Sequence, residues 1–456
     1  MSRFLTAKTV TTNVAIVGLG LLNSILLSRL LGPAGRGEIG AAMLWPVLLV
    51  AITSFGFIPA TLFFAGREAA DTEAVLANAA GMGLVQGTVA IIIGYICLPA
   101  LLPHQSERVI NVARAYLLVV PISLLTQYGI SVLQARLHIG LFNLLRMIIP
   151  AGYLGGVIVL SLLKKVSLSH VVFLHLSLTL IAMLAVYFCL FKVGVRLSFR
   201  CDWPLWKEML RYGAKVLAGD LSQLGNLRLD QTVIAAWLPP AELGLYLASV
   251  SAAQTIQILS TAVRQVLVPS MVRASSQTSR LELLKRTLAR YSALSLGATL
   301  AVAVILPFGI PLIFGPSFRG AILPAEILLV GFFFLSAKDV LAGGAQALGD
   351  PWLGSRAEIL ALGITAGLLA MLLPRYGILG AAIAAMAAYA AALFFLARAL
   401  CKAYQIRAKH LFVISHASFH ELMSIVPFFR PVRPSGYPLA QEGILPPENP
   451  VRGSIN

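Results

Sequence analysis

The chain has 456 residues, 58% of them hydrophobic and 12% charged, with a mean hydropathy of +0.86. Soluble globular domains carry about 25% charged residues, so this composition excludes a cytosolic enzyme, a disordered chain and a secreted disulfide scaffold. The net charge is +17, from 35 Lys and Arg against 18 Asp and Glu. In a soluble domain that excess would suggest a nucleic-acid partner; in a chain built of long apolar blocks it belongs to the connecting loops, and no nucleic acid is expected.

The first apolar run, Val10–Leu31, follows a short basic segment ending at Lys8. It is longer than the apolar region of a signal peptide, about 7–15 residues, and no small-residue cleavage site follows, so it reads as a retained first span. Further apolar blocks give spans at 9–31, 37–64, 76–102, 109–133, 141–163, 168–191, 208–237, 242–270, 288–314, 321–346, 355–373 and 377–401. Each is long enough to cross about 30 Å of hydrocarbon as a helix. The seventh is the most polar, with Asp220, Arg228 and Asp230, and the eleventh is short. The expected fold is an all-α polytopic membrane protein of about twelve transmembrane helices in two pseudo-symmetric six-helix bundles. The expected domains are an N-terminal lobe with its following cytoplasmic linker (1–205), a C-terminal lobe (206–403) and a cytoplasmic tail (404–456). Seven prolines from Pro427 to Pro450 keep that tail from continuing as helix, leaving it largely disordered beyond a surface helix at 408–426.

With the N-terminus inside, the cytoplasmic segments hold about 23 Lys and Arg against 6 on the opposite side, the direction of the positive-inside rule. An even span count returns the C-terminus to the cytoplasm. Cys97, Cys189, Cys201 and Cys401 have no ligand spacing and read as small apolar residues rather than metal or redox groups. No cofactor is expected.

The two halves echo each other. Leu31-Gly-Pro-Ala-Gly-Arg-Gly37, ending the first span, recurs as Leu238-Pro-Pro-Ala-Glu-Leu-Gly244, ending the seventh. Leu133-Gln-Ala135 is answered by Ala345-Gln-Ala347. Six spans per half make the repeat parallel, about an axis along the membrane normal, a plan used by transporters. Two such bundles with a cleft between them can open alternately to each face.

Several motifs then carry a family resemblance: Leu27-Ser-Arg-Leu-Leu-Gly-Pro-Ala-Gly-Arg-Gly37, Leu227-Arg-Leu-Asp-Gln231, Glu242-Leu-Gly-Leu-Tyr246, Phe314-Gly-Pro-Ser-Phe-Arg319, Ala345-Gln-Ala-Leu-Gly-Asp350 and Leu373-Pro-Arg-Tyr-Gly-Ile-Leu-Gly-Ala-Ala382. Over about residues 5–405 the chain resembles the Wzx-like polysaccharide and oligosaccharide flippases, in the superfamily that also holds the MATE exporters and the lipid II flippases. The resemblance implies transfer of an undecaprenyl-pyrophosphate-linked oligosaccharide across the bacterial inner membrane, for O-antigen, capsule or exopolysaccharide assembly. It implies the lipid-linked oligosaccharide, membrane lipids and polysaccharide polymerase or export machinery as partners; the energy is expected from an H⁺ or Na⁺ gradient or from downstream consumption of the flipped sugar.

Such a task breaks no covalent bond. It requires a polar route for a pyrophosphate and its sugars through hydrocarbon, where a central charge costs about 2.5–3.5 kcal/mol on insertion scales. Arginine suits phosphate because its planar fork makes two parallel hydrogen bonds. The embedded candidates for the cleft are Arg228, Asp230, Asp220, Arg29, Arg114, Arg264 and Lys338. Arg228 and Asp230 differ by roughly 200° around a helix and cannot share a face. Arg29 near its helix end can instead reach to headgroups, and Lys338 with Asp339 can be paired near the inner surface. Glu358 reads as an N-terminal charge favouring the eleventh helix, and His170 and His175 as interfacial packing. Two rival functions are weaker. A MATE-like, cation-coupled small-molecule exporter calls for a cleft dominated by carboxylates, and the embedded set leans cationic. A polysaccharide ligase or polymerase calls for a large external loop, and the longest here, about 102–109, is short. No P-loop signature occurs, which excludes P-loop ATP hydrolysis by this chain; the chain reads as a transporter rather than an enzyme.

Overall fold

The computed structural model describes residues 3–67, 71–196, 202–274 and 276–405. The tail expected beyond that point, with its surface helix at 408–426, lies outside the described residues. Among the described residues every regular element is helical. The first half holds α1 (Arg3–Thr53), α2 (Phe57–Ala65), α3 (Thr72–Leu101), α4 (Glu107–Tyr116), α5 (Val119–Ala135), α6 (Ile139–Leu162) and α7 (Leu168–Lys192). The second holds α8 (Trp203–Trp237), α9 (Pro240–Ala253), α10 (Gln257–Arg273), α11 (Gln277–Phe314), α12 (Ile322–Ala347) and α13 (Pro351–Ala403).

Nine stretches among the described residues are long and apolar enough to cross a membrane. Two of them, Thr11–Thr53 with 43 residues and Trp352–Ala403 with 52, are about twice the length one crossing needs. Each is broken by a glycine in the left-handed region: Gly32 at φ 67° and Gly377 at φ 55°. Only glycine takes that conformation without a side-chain clash. Pro33 immediately after the first break restarts the helix, where a missing N–H costs nothing. At the second break a methyl added to Gly380 would fall 2.4 Å from the Leu372 carbonyl oxygen. Eight residues along a continuous helix would separate them by about 12 Å, so α13 folds back on itself. These two paired crossings, together with the more polar α8, account for the twelve spans read from the sequence.

The other ends are set by local chemistry. Asp71 caps α3, its carboxylate accepting from the N–H groups of Glu73 and Ala74 at 3.0 and 3.1 Å. Asp202 caps α8 through Leu205 N at 3.1 Å, and Ser276 caps α11 through Ser279 N at 3.2 Å. The outward faces are apolar: on α3 Ile92 and Ile96, and on α11 Val304, Phe308 and Leu312, are all more than half exposed. Stripes recurring every three to four residues with no water-seeking groups are what lipid-facing helices require. A hydrophobic core of Val263, Leu267, Met271, Leu284, Leu288, Leu341 and Leu396 belongs wholly to the second half.

The halves meet through the repeated motif. A methyl at Gly37 would fall 1.7 Å from the Pro240 carbonyl oxygen, and one at Gly244 would fall 1.9 Å from that of Pro33. Pro33 and Pro240, like Gly37 and Gly244, are 207 residues apart (240 − 33 and 244 − 37). The two copies of the motif therefore pack against each other reciprocally, as a two-fold axis between parallel repeats demands, and small residues let the backbones touch.

A cationic cavity between the halves

Both parts of α1 turn one face to a cavity of about 720 Å³. Ile16, Gly20, Asn23 and Leu27 come from the part before Gly32, and Arg36, Gly40, Met43 and Val47 from the part after it. Helical spacing of three to four residues keeps each set on one side. α5, α6 and α7 contribute Ser123, Thr126, Gln127, Arg146, Tyr153, His175 and Thr179. The second half closes the cavity with Leu224, Arg228 and Gln231 of α8 and Leu243, Leu247 and Ser251 of α9. The hydroxyls of Ser24 and Ser251 lie 2.9 Å apart across the seam.

Among the described residues the lining holds three arginines, Arg36, Arg146 and Arg228, and no aspartate or glutamate. Arg228 donates to Gln231 Oε1 at 2.8 Å, and Gln231 in turn donates to the Leu227 carbonyl at 3.3 Å. This holds the guanidinium along the cavity wall while spending only part of its five-donor capacity. Arg146 lies over the Phe142 ring, 4.9 Å from its centroid. Among the described residues, three buried polar atoms at the wall have no partner: Arg36 Nε, Tyr153 Oη and Asn23 Oδ1. His175 shares a 2.8 Å hydrogen bond with the Tyr116 hydroxyl and meets the Tyr153 ring edge to face at 5.3 Å. Buried polar groups without partners are costly unless something else satisfies them; of these three, Arg36 Nε and Tyr153 Oη can donate while Asn23 Oδ1 only accepts, and the arginines make the wall cationic. It is suited to an anion with several acceptor oxygens.

The sequence candidates fall in different places. Arg228 lines the cavity. Asp230, two residues on, is buried on another side of α8, where its Oδ2 accepts from the Tyr246 hydroxyl at 2.5 Å and its Oδ1 from Gln231 N at 2.7 Å. Asp220 lies on α8 with its side chain outside the described residues. Arg29 donates to the carbonyls of Ile313, at 2.7 Å, and Leu312, satisfying the C-terminal end of α11. Arg114 donates to the Tyr95 carbonyl at 3.2 Å and covers that tyrosine's ring. The N–H that a helix would offer to Tyr95 belongs to position 99, which is proline; the arginine replaces it. Lys338 is buried within the second half, paired with Asp339 at 3.1 Å and with Glu358. Glu358, expected to act on its helix terminus, is drawn into this ion cluster, and the Asn226 amide donates to it at 2.6 Å. Arg264 packs its stem over Gly343 on α12.

Arg36 and Arg146 are the cavity residues that sequence reasoning missed. Both stand close to span ends, where a charge reads as part of a connecting segment. A usable signal existed for Arg36: it sits inside the repeated Gly-Pro motif whose second copy carries Leu243 at the equivalent position, so a loop role was not required. Arg146 offered none, because its place in the wall depends on how α6 packs. His175, read as interfacial packing, also stands in the wall.

Known structures share this architecture. Lipid II flippase MurJ in an inward closed conformation superposes with a TM-score of 0.74 at 13% identity, covering 91% of each chain. An inward-facing multidrug resistance MATE family transporter of the MOP superfamily gives 0.70 at 14% identity, covering 87% of this chain and 98% of that one. A point mutant of the Vibrio cholerae MATE transporter VcmN gives 0.59 at 16%, covering 89% and 97%. These likenesses establish the fold, two pseudo-symmetric bundles of the MATE and MOP type. A search of curated protein sequences finds no match. A family described as polysaccharide biosynthesis protein matches residues 26–323, well over half of the chain, and this multi-pass helical membrane protein belongs to that family.

Proposed function

We propose that the protein is a flippase that carries an undecaprenyl-pyrophosphate-linked oligosaccharide across the bacterial inner membrane by alternating access, supplying O-antigen, capsule or exopolysaccharide assembly. The observation that carries this reading is the inter-lobe cavity lined by Arg36, Arg146 and Arg228, with no carboxylate among its described lining residues. A pyrophosphate entering hydrocarbon loses its hydration, and guanidinium groups replace it with charge-assisted hydrogen bonds. The polyprenyl chain has no such need and stays in lipid. Family membership supports a role in polysaccharide synthesis, and the fold supports transport by two rocking lobes. The same lining argues against export of small organic cations, which a wall carrying three arginines would repel. With the N-terminus cytoplasmic, the reciprocal contact of Gly37 and Gly244 closes the external end of the cleft. H⁺ or Na⁺ coupling is compatible with this scheme.

The test is Arg228→Ala in the native host. Surface polysaccharide should fall while the protein's level in the membrane is unchanged, and the assembled lipid-linked unit should accumulate on the cytoplasmic leaflet. Undiminished export, or a stranded unit exposed on the outer leaflet, would overturn the reading.

A further inference from the structure

A second, smaller space lies along the same seam. On α1 the face that lines the arginine cavity runs Asn23, Gly20, Ile16, and one turn further toward the N-terminus it presents Asn13. Asn13 and its neighbours Val14 and Val17 enclose about 150 Å³ against Gln254, Gln257, Thr261 and Gln265, which come from α10 and the short turn before it. Gln257, Thr261 and Gln265 recur every four residues and so form one polar stripe on an intramembrane helix.

The stripe is unusual in what it leaves open. Among the described residues, the side-chain amides of Asn13, Gln254, Gln257 and Gln265 make no hydrogen bond, and Asn13 Oδ1 is buried without a partner. Thr261 alone is engaged, donating to the Gln257 carbonyl at 3.0 Å. Polar side chains inside a membrane helix bundle usually hydrogen-bond across helices; here they face each other over a gap. Each amide offers one acceptor oxygen and two N–H donors without charge. A phosphate, which only accepts, is better served by the arginines. Hydroxyls, which both donate and accept, match the amides. The corresponding seam between α2 and α8 is shut: a methyl at Gly56 would fall 2.2 Å from the Gly213 carbonyl oxygen, and Phe63 stacks on Tyr212 at 4.6 Å.

We propose that this amide-lined gap is a neutral sugar subsite, taking the hydroxyls of one sugar ring of the headgroup while its pyrophosphate lies among the arginines. The assignment rests on the proposed function for the nature of the cargo, but on its own residues for the division of labour. Because Asn13 belongs to one lobe and the glutamines to the other, an occupied subsite bridges them.

The test measures binding to the full-length protein in lipid nanodiscs with two probes: undecaprenyl pyrophosphate alone, and the same lipid bearing a neutral disaccharide. Wild type should bind the sugar-bearing probe about tenfold more tightly, the effect of one or two net hydrogen bonds. Gln257→Leu with Gln265→Leu should remove that increment and leave the sugar-free probe at wild-type affinity; Asn13→Leu, from the opposite lobe, should do the same. Thermal melting identifies any variant that fails to fold, and either set alone suffices. Equal wild-type affinity for the two probes, a retained increment in both variants, or an equal loss for both probes would overturn the subsite. Arg228→Ala should weaken both probes by the same factor. An unchanged affinity there would remove the pyrophosphate reading of the cavity while the sugar increment still decides the amide gap.

Discussion

The reciprocal contact between Gly37 and Gly244 can be loosened by a single methyl group. In Gly37→Ala the new carbon would lie 1.7 Å from the Pro240 carbonyl oxygen, whereas carbon and oxygen settle at about 3.3 Å. The backbones of α1 and α9 must therefore part by about 1.5 Å. Overpacking of this kind costs about 1–3 kcal/mol. If the contact exists only when the lobes are closed at this end, that cost shifts the balance of closed and open states by about 5- to 150-fold. Spin labels on cysteines replacing Ala34 and Ala241, read by electron–electron double resonance, should gain a longer-distance population. Gly244→Ala should match it, because its methyl meets Pro33 in the equivalent way at 1.9 Å. The double variant should shift little further, since one separation relieves both clashes. Gly18→Ala, with nothing within 4 Å, is the control. A Gly37→Ala distance distribution identical to wild type would refute the closure argument, and a large effect at one glycine with none at the other would refute the pseudo-symmetry.

Two further outcomes follow from polar contacts within the lobes. Arg114→Leu should lower stability by about 1.5–3 kcal/mol, the range for a hydrogen bond from a charged group, seen as a drop in melting temperature; in a Pro99→Ala background, which restores the N–H facing Tyr95, the same substitution should cost much less, and an equal drop in both backgrounds would sink the explanation. Lys338→Met should cost about 3–5 kcal/mol because it leaves buried carboxylates uncompensated, and adding Glu358→Gln should recover most of the loss. A Lys338→Met protein melting like wild type would show that the cluster is not coupled.

The span pattern was legible because lipid imposes length and hydrophobicity on each helix independently of its neighbours. Even the two reversals were marked, by Gly32 with Pro33 and by Gly377 with Pro374, since a membrane helix that must turn back needs residues able to leave the helical region. The polar groups were less legible for a physical reason. An arginine in an apolar span can face a cavity, reach to headgroups or satisfy a carbonyl, and the three look alike in sequence. Arg29 and Arg114 turn out to serve carbonyls at a helix end and at a proline, a role that depends on which carbonyls are orphaned by tertiary neighbours. Arg36 and Arg146 line the cavity although their positions near span ends suggested loops. Besides the repeat at Arg36, the angular argument at Arg228 and Asp230 carried information, because a single helix fixes their relative directions.

The charges sort by whether the protein itself supplies their close partners. In the second half Lys338 is enclosed by Asp339 and Glu358, and Asp230 is bonded to Tyr246. In the cavity Arg36, Arg146 and Arg228 make no ion pair among the described residues. Like charges repel more strongly as water is excluded, because the effective dielectric falls. Closing the lobes over an empty cavity would bring three like-charged guanidinium groups into that setting, while closing over a pyrophosphate would cancel much of the field. On the proposed function, this difference makes the loaded cleft easier to occlude than the empty one, and the charge that the lobes do not supply is the charge that the cargo brings.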